Sequence, residues 1–305
     1  MDAIQQHILH EVAELDSLPV GAFNIRANGQ AAARNTTANI DIVSKTDVPG
    51  IDIIIKPFTK NESVHIPVII SQTGLKDLVY NDFHIGEGAD VTIIAGCGIH
   101  NCGGGTAQHD GIHTFYLGKN AKVRYVEKHY GEGDGRGKQV MNPTTIVHLE
   151  EGASLLMETT QIAGIDDTVR KTRGDLAAGA SFVVQEKLMT TGDQVAVTEF
   201  EVDLNGDGCS TNVVSRGVAK DHSKQDLVIR LNGNAACSGH SECDSIIMDQ
   251  ACVIATPSLV ANNLDAALIH EAAIGKIAGD QLIKLMTLGL TEQEAEEQII
   301  NGFLK

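Results

Sequence analysis

The chain has 305 residues, 42% of them hydrophobic, so it is long enough to bury a sizeable core in one large domain or two smaller ones. Its 40 acidic residues outnumber the 23 basic ones, and the net charge of −17 repels phosphate backbones and anionic lipids, which argues against nucleic-acid and membrane partners. The first residues lack the features of a signal peptide and six cysteines are too few for a disulfide framework, so we expect a cytoplasmic protein with free thiols.

The first predicted element is a short amphipathic helix. Apolar residues recur at helical spacing within residues 2–15, and Pro19 ends the pattern. Apolar or alternating runs follow at residues 38–42, 51–55 and 65–70, separated by turn-forming segments. We therefore assign residues 1–79 to an N-terminal region of one helix and several strands.

An internal repeat begins near residue 80. Small residues form turns at 88–89, 120–121, 152–153 and 179–180, which places successive alanines 32, 32 and 27 residues apart. Apolar residues stand two and four positions after each alanine, an alternation that lets a strand point one face into a core. These eight residues are Val91, Ile93, Val123, Tyr125, Leu155, Met157, Phe182 and Val184.

A repeat of this length is typical of a solenoid. A parallel β-solenoid fills its interior with small and branched side chains, in agreement with 31 glycines and only 4% aromatic residues. A β-sandwich is the alternative, but its strands recur without one fixed long period. The sequence therefore predicts a mainly β fold with a parallel β-helix core over residues 80–256.

The pattern changes to helical after Pro257. Leu282, Leu285 and Met286 predict one helix, and a capping box at residues 291–294 begins another. We assign residues 257–305 to a C-terminal helical region. Its helix pair is expected to close the end of the coil stack, to offer an apolar face to a partner, or to do both.

Three residues near this boundary have side chains that bind transition metals. They are Cys243, His270 and Glu271, and thiol, imidazole and carboxylate together suit iron and its sulfide clusters. Each also has an ordinary interpretation, because a buried cysteine packs as a small apolar residue and the other two are unremarkable at the start of a helix. Neighbours on a helix do not share a face, so spacing alone does not prove a site.

A second group of thiols and imidazoles lies in a glycine-rich stretch. Thiols and imidazoles are also zinc ligands, but the spacing fits structural zinc patterns only loosely, and a flexible loop between two coils is the simpler interpretation. The five residues of this thiol and imidazole group are Cys97, His100, Cys102, His109 and His113.

The glycine-rich residues 131–137 lack the lysine and hydroxyl of a phosphate-binding loop and predict a solvated turn.

Several segments of this sequence resemble the SufB/SufD family of iron–sulfur cluster assembly scaffolds, and SufB more than SufD. They are residues 88–97, 117–125, 243–247 and 270–282 and the helix at 291–303, of which 270–282 is the most specific. The resemblance runs from about residue 60 to the end of the chain. It implies a right-handed parallel β-helix flanked by helical regions.

The resemblance also implies a role as a scaffold rather than an enzyme in its own right. A nascent iron–sulfur cluster is expected at Cys243 and Glu271 with His270 beside them, and Cys97 is expected on an interior route that carries persulfide sulfur. The alternation that points Val91 into the core also points Cys97 inward, so the two arguments agree.

The implied partners are a SufC-like ABC-type ATPase and a source of sulfur. The ATPase is expected to bind ATP and to dock on the C-terminal helices around Asp280, Gln281 and Leu282. Sulfur is expected from a cysteine desulfurase or from sulfide.

The chain lacks most of the N-terminal region of typical SufB and resembles the minimal systems in which one SufB-like protein pairs with itself. We therefore expect a homodimer through the β-helix, with cluster ligands from both subunits. The main alternative is a carbohydrate-active β-helix enzyme, a polysaccharide lyase or hydrolase, which is usually secreted and lines its cleft with aromatic residues. A purely structural solenoid is the third possibility.

Overall fold

The structure, a computed structural model, describes residues 2–305 as a parallel β-solenoid of about eight turns with helices at both ends of the chain. The helices are α1 (Ala3–Ala13), α2 (Gly279–Met286) and α3 (Glu292–Phe303). The first ten strands are β1 (Ala22–Ala27), β2 (Gln30–Asn35), β3 (Ile40–Ser44), β4 (Gly50–Ile55), β5 (Lys60–Ile70), β6 (Lys76–Ile85), β7 (Asp90–His100), β8 (Ala107–Leu117), β9 (Lys122–Glu132) and β10 (Gln139–Met141). The others are β11 (Thr144–Leu149), β12 (Ser154–Ala163), β13 (Asp167–Leu176), β14 (Ser181–Thr190), β15 (Val195–Leu204), β16 (Ser210–Ala219), β17 (Lys224–Gly233), β18 (Ser238–Ile247), β19 (Cys252–Ala261) and β20 (Ala267–Gly275).

From β4 onward the chain alternates between two sheets, so that each coil contributes to both, with β10 and β11 together forming one passage through the back sheet. The front sheet has the order β2-β1-β5-β7-β9-β12-β14-β16-β18-β20. The back sheet has the order β3-β4-β6-β8-β10-β13-β15-β17-β19, and β11 continues the coil of β10 between β8 and β13. All pairs are parallel except β1 with β2 and β3 with β4.

The predicted repeat is confirmed by the strand register. Val91, Val123, Leu155 and Phe182 are partners in neighbouring strands of the front sheet, and none is more than 4% exposed. The residues two positions further along each strand are fully buried in the same core. Period-2 alternation therefore identified the inner face correctly.

The parallel coils extend beyond the predicted limits of 80 and 256. β5 already pairs in parallel with β7, and β19 and β20 continue the two sheets to Gly275. Pro257 lies within β19, an edge strand, where proline is tolerated because one side of the strand carries no ladder. His270 and Glu271 lie in β20 instead of opening a helix, because pairing with β18 overrides the local helix propensity of the Glu-Ala-Ala segment.

The two ends of the solenoid differ. At the N-terminal end, Arg34 of β2 donates to the Ile42 carbonyl and the Ser44 hydroxyl of β3, so the two short outer strands are bridged. At the other end, β19 and β20 each have a neighbour on one side only, and their second edges are free in the described part of the chain. Free edges of this length are potential pairing surfaces.

Helix α1 covers the outer face of the front sheet near its N-terminal end. This helix lies mainly over β7 and β5, and its buried residues Ile8, Leu9 and Val12 form a cluster that also includes side chains of β1, as the amphipathic pattern predicts. Gly98 permits this close packing, because a Cβ there would lie 2.0 Å from the Ile8 side chain.

The C-terminal helices lie beside the solenoid and do not cover its open end. Ile300 of α3 and Leu304 pack on Val218, in a cluster with side chains from the ends of β14 and β18. Helix α2 has no buried residue. The expectation that the pair closes the coil stack is therefore wrong, and an exposed apolar face remains. None of the three helices in residues 2–305 has the length and apolar character needed to cross a membrane.

Candidate functional site

An in-register row of inward-pointing side chains crosses the front sheet, and we call it the inner row. Core positions of a solenoid are normally apolar, so polar and ionisable groups here require specific partners. With coils stacked about 4.8 Å apart, its five steps span about 24 Å. The row consists of Ala95, Glu127, Thr159, Glu186, Ser215 and Cys243.

Arg170 of β13 lies between the two carboxylates of the inner row. Its Nη1 is 2.6 Å from Oε2 of Glu127 and its Nε is 3.6 Å from Oε1 of Glu186, with all three side chains about 4% exposed. Burial alone raises the pKa of Glu127, but Arg170 and the nearby histidines outweigh it and hold the pKa well below its usual range. The interior therefore contains fixed charges shielded from water.

A neutral histidine extends this network from the back sheet. His113 Nδ1 donates to the Tyr125 hydroxyl at 2.9 Å, and Tyr125 donates to Oε1 of Glu127 at 2.9 Å. Asn81 donates to the other ring nitrogen at 3.3 Å. Burial lowers the pKa of His113 to about 4, so the ring stays uncharged at neutral pH.

Cys97 lies beside one end of the inner row. It pairs in register with His129, and both face a cavity of about 20 Å³, enough for about one water molecule. Burial, together with Asp77 and Glu127, raises the pKa of Cys97 well above its ordinary value. Its thiol is therefore neutral and enclosed.

Cys243 forms the other end of the inner row. It is 2% exposed and pairs in register with Ser215, whose hydroxyl donates to Oε2 of Glu186 at 2.7 Å. Burial and the charge of Glu186 raise the pKa of Cys243 to about 12. Binding of a metal cation would reverse this preference, because coordination favours the thiolate.

The structure separates two of the predicted ligands. His270 lies on the inner face, where its Nδ1 is 2.8 Å from the Ser241 hydroxyl and burial lowers its pKa. Glu271, the next residue on the same strand, points to the outer face because side chains alternate. Cys243 and Glu271 therefore do not converge within one chain, although β18 and β20 bring both to the same end of the sheet.

Glu271 instead meets two residues that the sequence did not single out. His240 and Glu242 precede Cys243 on the outer face of β18, and with Glu271 they place ligand atoms within 4.8 Å of one another. His240 Nδ1 donates to Asn212 at 2.9 Å, which leaves Nε2 available 3.9 Å from Glu271. We call these three residues the outer trio. The sequence could have indicated it, because His240 and Glu242 alternate with Ser241 and Cys243 along the strand and therefore share the opposite face.

The glycine-rich group does not form one metal site. Cys97, His109 and His113 are buried, whereas His100 and Cys102 lie at the outer rim of the coil. Within residues 2–305, no three of these five side chains place ligand atoms within 4.8 Å of one another. The zinc alternative therefore has no support from the geometry.

Residues 131–132 end β9, and the rest of the segment forms a solvent-exposed turn, as predicted, that also packs against the rim of the neighbouring coil. Backbone N–H groups of Gly135 and Gly137 donate to the carbonyls of Asn101 and Gly103 at 3.1 and 2.9 Å. A Cβ on Gly137 would approach the Gly105 carbonyl oxygen to 2.1 Å. Glycine is thus needed so that two successive rims can lie side by side.

The predicted ATPase-docking residues lie in the first turn of α2. Asp280 and Gln281 are exposed, and Leu282 is partly buried. The same helix and the turn after it expose Ile283 at 61%, Met286 at 43% and Leu288 at 79%. We call this set of exposed apolar side chains the α2 face.

Comparison with known proteins supports a single family. Residues 77–303 match the family model described as "SUF system FeS cluster assembly, SufBD core domain". An iron–sulfur cluster assembly SufBD family protein of Methanocaldococcus jannaschii is 29% identical over 254 residues, which cover 83% of this chain and 79% of that protein.

Two further relatives have the same description. One, from Methanothermobacter thermautotrophicus, is 30% identical over 224 residues, or 72% of this chain and 53% of that protein. The other, from Archaeoglobus fulgidus, is 27% identical over 234 residues, or 75% of this chain and 61% of that protein. The chain thus spans between half and two thirds of the length of these two relatives.

Proposed function

The chain belongs to the SufBD core family of the SUF system for iron–sulfur cluster assembly, and we propose that within this system it is the scaffold on which a cluster is built. The observation that carries this proposal is the inner row, which links the environment of Cys97 to Cys243 through buried polar groups. In this role the cluster is cargo that leaves, and the chain itself is not an enzyme. The same family match favours the scaffold over a carbohydrate-active enzyme or a purely structural solenoid.

Sulfur would enter as persulfide from a cysteine desulfurase or as sulfide, and would travel from Cys97 toward Cys243. An apolar core offers such a polar species no hydrogen bonds, whereas Glu127, Arg170 and Ser215 provide donors and acceptors along the way. The enclosed cavity at Cys97 is too small for an open channel, so passage would require side chains of the row to move.

Iron would be bound where β18 and β20 end the front sheet. Cys243 supplies a soft thiolate ligand with His270 nearby on the inner face, and the outer trio supplies a carboxylate-rich site on the other face. A soft thiolate with harder, exchangeable oxygen ligands suits a cluster that must later be released.

A second copy of the chain would complete the site. The free edges of β19 and β20 are the parts of the solenoid open to pairing, and they adjoin both sets of ligands. A homodimer formed there through the β-helix would bring Cys243 and Glu271 of two subunits to one interface.

The α2 face would dock the SufC-like ATPase, which binds the ATP. Amphipathic helices bind partner grooves through apolar residues at helical spacing, and this face has no cover among the described residues. All six thiols are free, which fits the cytoplasmic location that we propose.

Anaerobic reconstitution with iron and sulfide tests the scaffold role. Wild-type protein should gain visible absorption together with bound iron and sulfide, and Cys243→Ser should abolish both because the soft ligand is lost. Glu271→Ala should weaken iron retention in the same assay. Cys209→Ser is the matched control, because Cys209 is also buried but lies outside the inner row.

Two outcomes would contradict this assignment. A full iron and sulfide complement in Cys243→Ser would remove the thiol from the site. Loss of the cluster in Cys97→Ser or Cys102→Ser, with Cys243→Ser unaffected, would place the cluster in the glycine-rich segment.

A further inference from the structure

An exposed thiol at the rim of the solenoid lies against an oriented imidazole. Cys102 Sγ is 3.0 Å from Nε2 of His100, and Nδ1 of the same ring is 2.9 Å from Oε1 of Glu132. Because a carboxylate only accepts hydrogen bonds, Nδ1 carries the proton and Nε2 presents its lone pair to the thiol. Thiol, imidazole and carboxylate in this order form the arrangement that activates a nucleophile.

The carboxylate is itself held in place. Tyr130 donates its hydroxyl to Oε2 of Glu132 at 3.0 Å, and His7 Nε2 lies 3.2 Å from the same oxygen. Burial and the hydrogen bond to Glu132 raise the pKa of Tyr130 to about 12, so the phenol keeps its proton and its bond. Both oxygens of Glu132 are therefore fixed before any reaction begins.

The backbone that carries Cys102 is equally constrained. Asn101 is 1% exposed, and its side-chain amide donates to the carbonyls of Gly105 and Gly137 at 2.9 and 3.0 Å. The segment is also paired with the next rim through Gly135 and Gly137. A preorganised nucleophile on a rigid support is the geometry expected of a reactive group.

We propose that Cys102 is an acceptor of sulfane sulfur from a persulfide donor, with His100 as the base and Glu132 as the positioning residue. The inference rests on the proposed function for the identity of its donor. His100 Nε2 removes the proton of Cys102, and the thiolate attacks the terminal sulfur of the donor persulfide. A new sulfur–sulfur bond forms at Cys102 while the donor's sulfur–sulfur bond breaks, and the departing donor thiolate takes the proton from His100. No external oxidant or reductant is needed.

The other cysteines are less suited to this step. Cys97, Cys209, Cys237 and Cys243 are buried, so a protein donor does not reach them directly. Cys252 is exposed, but no hydrogen bond joins it to a histidine among the described residues. Cys102 is thus the exposed thiol with a base in contact, and Cys252 is an internal control on the same molecule.

Competition between these two thiols tests the proposal. The reduced full-length chain is exposed briefly to glutathione persulfide and then alkylated, and the persulfide at each cysteine is quantified by peptide mass spectrometry. Cys102 should react at least about tenfold faster than Cys252, since a positioned base typically contributes two or more orders of magnitude. Inorganic sulfide, which has no sulfane sulfur, should label neither.

Three variants separate base, orientation and charge. His100→Asn should bring the ratio of the Cys102 rate to the Cys252 rate close to one, and Glu132→Ala should lower this ratio to a similar extent. Glu132→Gln should retain part of the rate advantage of Cys102, because an amide oxygen still accepts the hydrogen bond from His100 Nδ1. His7→Asn is the matched control, since His7 contacts Glu132 but not the thiol. Unfolding midpoints of all variants show whether the rim remains folded.

Equal rates at the two thiols, persulfide at Cys97 before Cys102, or an unchanged ratio in His100→Asn would each overturn the proposal. Its failure is distinguishable from failure of the scaffold role. Reconstitution with iron and free sulfide bypasses Cys102, so Cys102→Ser should still assemble a cluster. If Cys102 is labelled fast in a chain that never assembles a cluster, the proposal for Cys102 as sulfur acceptor stands and the proposed scaffold role is refuted.

Discussion

Arg170 is the residue on which the charged interior depends. Arg170→Met should lower the free energy of unfolding by about 3–5 kcal/mol, because it leaves Glu127 and Glu186 as buried carboxylates without a cation. Chemical denaturation at neutral pH measures the loss. Arg173→Met on the same strand is the control, and its exposed pair with Asp203 should contribute less than about 1 kcal/mol. Equal losses of unfolding free energy in the two variants would show that the buried ion pairs of Arg170 contribute no more to stability than the exposed pair of Arg173.

His113 makes stability depend on pH. Its pKa is about 4 in the folded chain against 6.5 in the unfolded chain, so only the unfolded chain takes up the proton as the pH falls between these values. The contribution is complete above pH 6.5 and decreases by about 3 kcal/mol as the pH falls to about 4.

Urea unfolding at several pH values between 7 and about 4.5 tests this linkage. His113→Gln has no ionisable ring, so its stability should fall less steeply than that of the wild type over this range. Parallel slopes would mean that the His113 ring takes up its proton equally in the folded and unfolded chains, which would contradict the lowered pKa.

Single residues also show where sequence reasoning reached its limit. The motif around Cys243 was recognised, but the charged part of the inner row was not, although the alternation that places Tyr125 inward also places Glu127 and His129 inward. Buried polar residues are rare enough that such positions are assumed to be solvent-exposed. Arg170 lies on the opposite sheet, and only the three-dimensional stacking of coils brings it to Glu127.

Among the helices and strands, α2 stands out because it has no buried residue and exposes apolar side chains to solvent. Ile283→Asp should abolish binding of the SufC-like ATPase without loss of helix or stability, because Ile283 is 61% exposed. Gel filtration of the mixture and circular dichroism of the variant measure the two effects. Gln298→Asp adds the same charge at an exposed position of α3 and should bind normally. Normal binding by Ile283→Asp would exclude the α2 face.

The elements themselves were predictable in proportion to the regularity of their pattern. Coils with strict alternation, such as β7, β9, β12 and β14, were located from sequence. β20 was not, because its alanines and glutamate favour a helix in isolation and only the adjacent β18 selects the extended form. The C-terminal limit of the solenoid was missed for the same reason. At the N-terminal limit, strands were predicted at 51–55 and 65–70, but they were not assigned to the coils because the small-residue turn of the repeat does not precede β5.

For the whole molecule, the open end predicts a dimer in solution. Ile269→Lys should shift the protein from dimer to monomer in light scattering, since this β20 side chain is 56% exposed and an edge lysine opposes strand pairing. Val195→Lys, at 36% exposure within the back sheet, is the control and should leave the mass unchanged. A monomeric wild type, or a dimeric Ile269→Lys protein, would contradict pairing through this edge.

The unlike ends of the solenoid also limit how far such stacking can proceed. A filament requires every subunit to have two complementary surfaces, so that each addition exposes a new acceptor. Here only one end has long free edges, and the other presents short strands bridged by Arg34. Two copies that met through their open ends would cover the long free edges of both, so pairing of this kind would stop at a dimer.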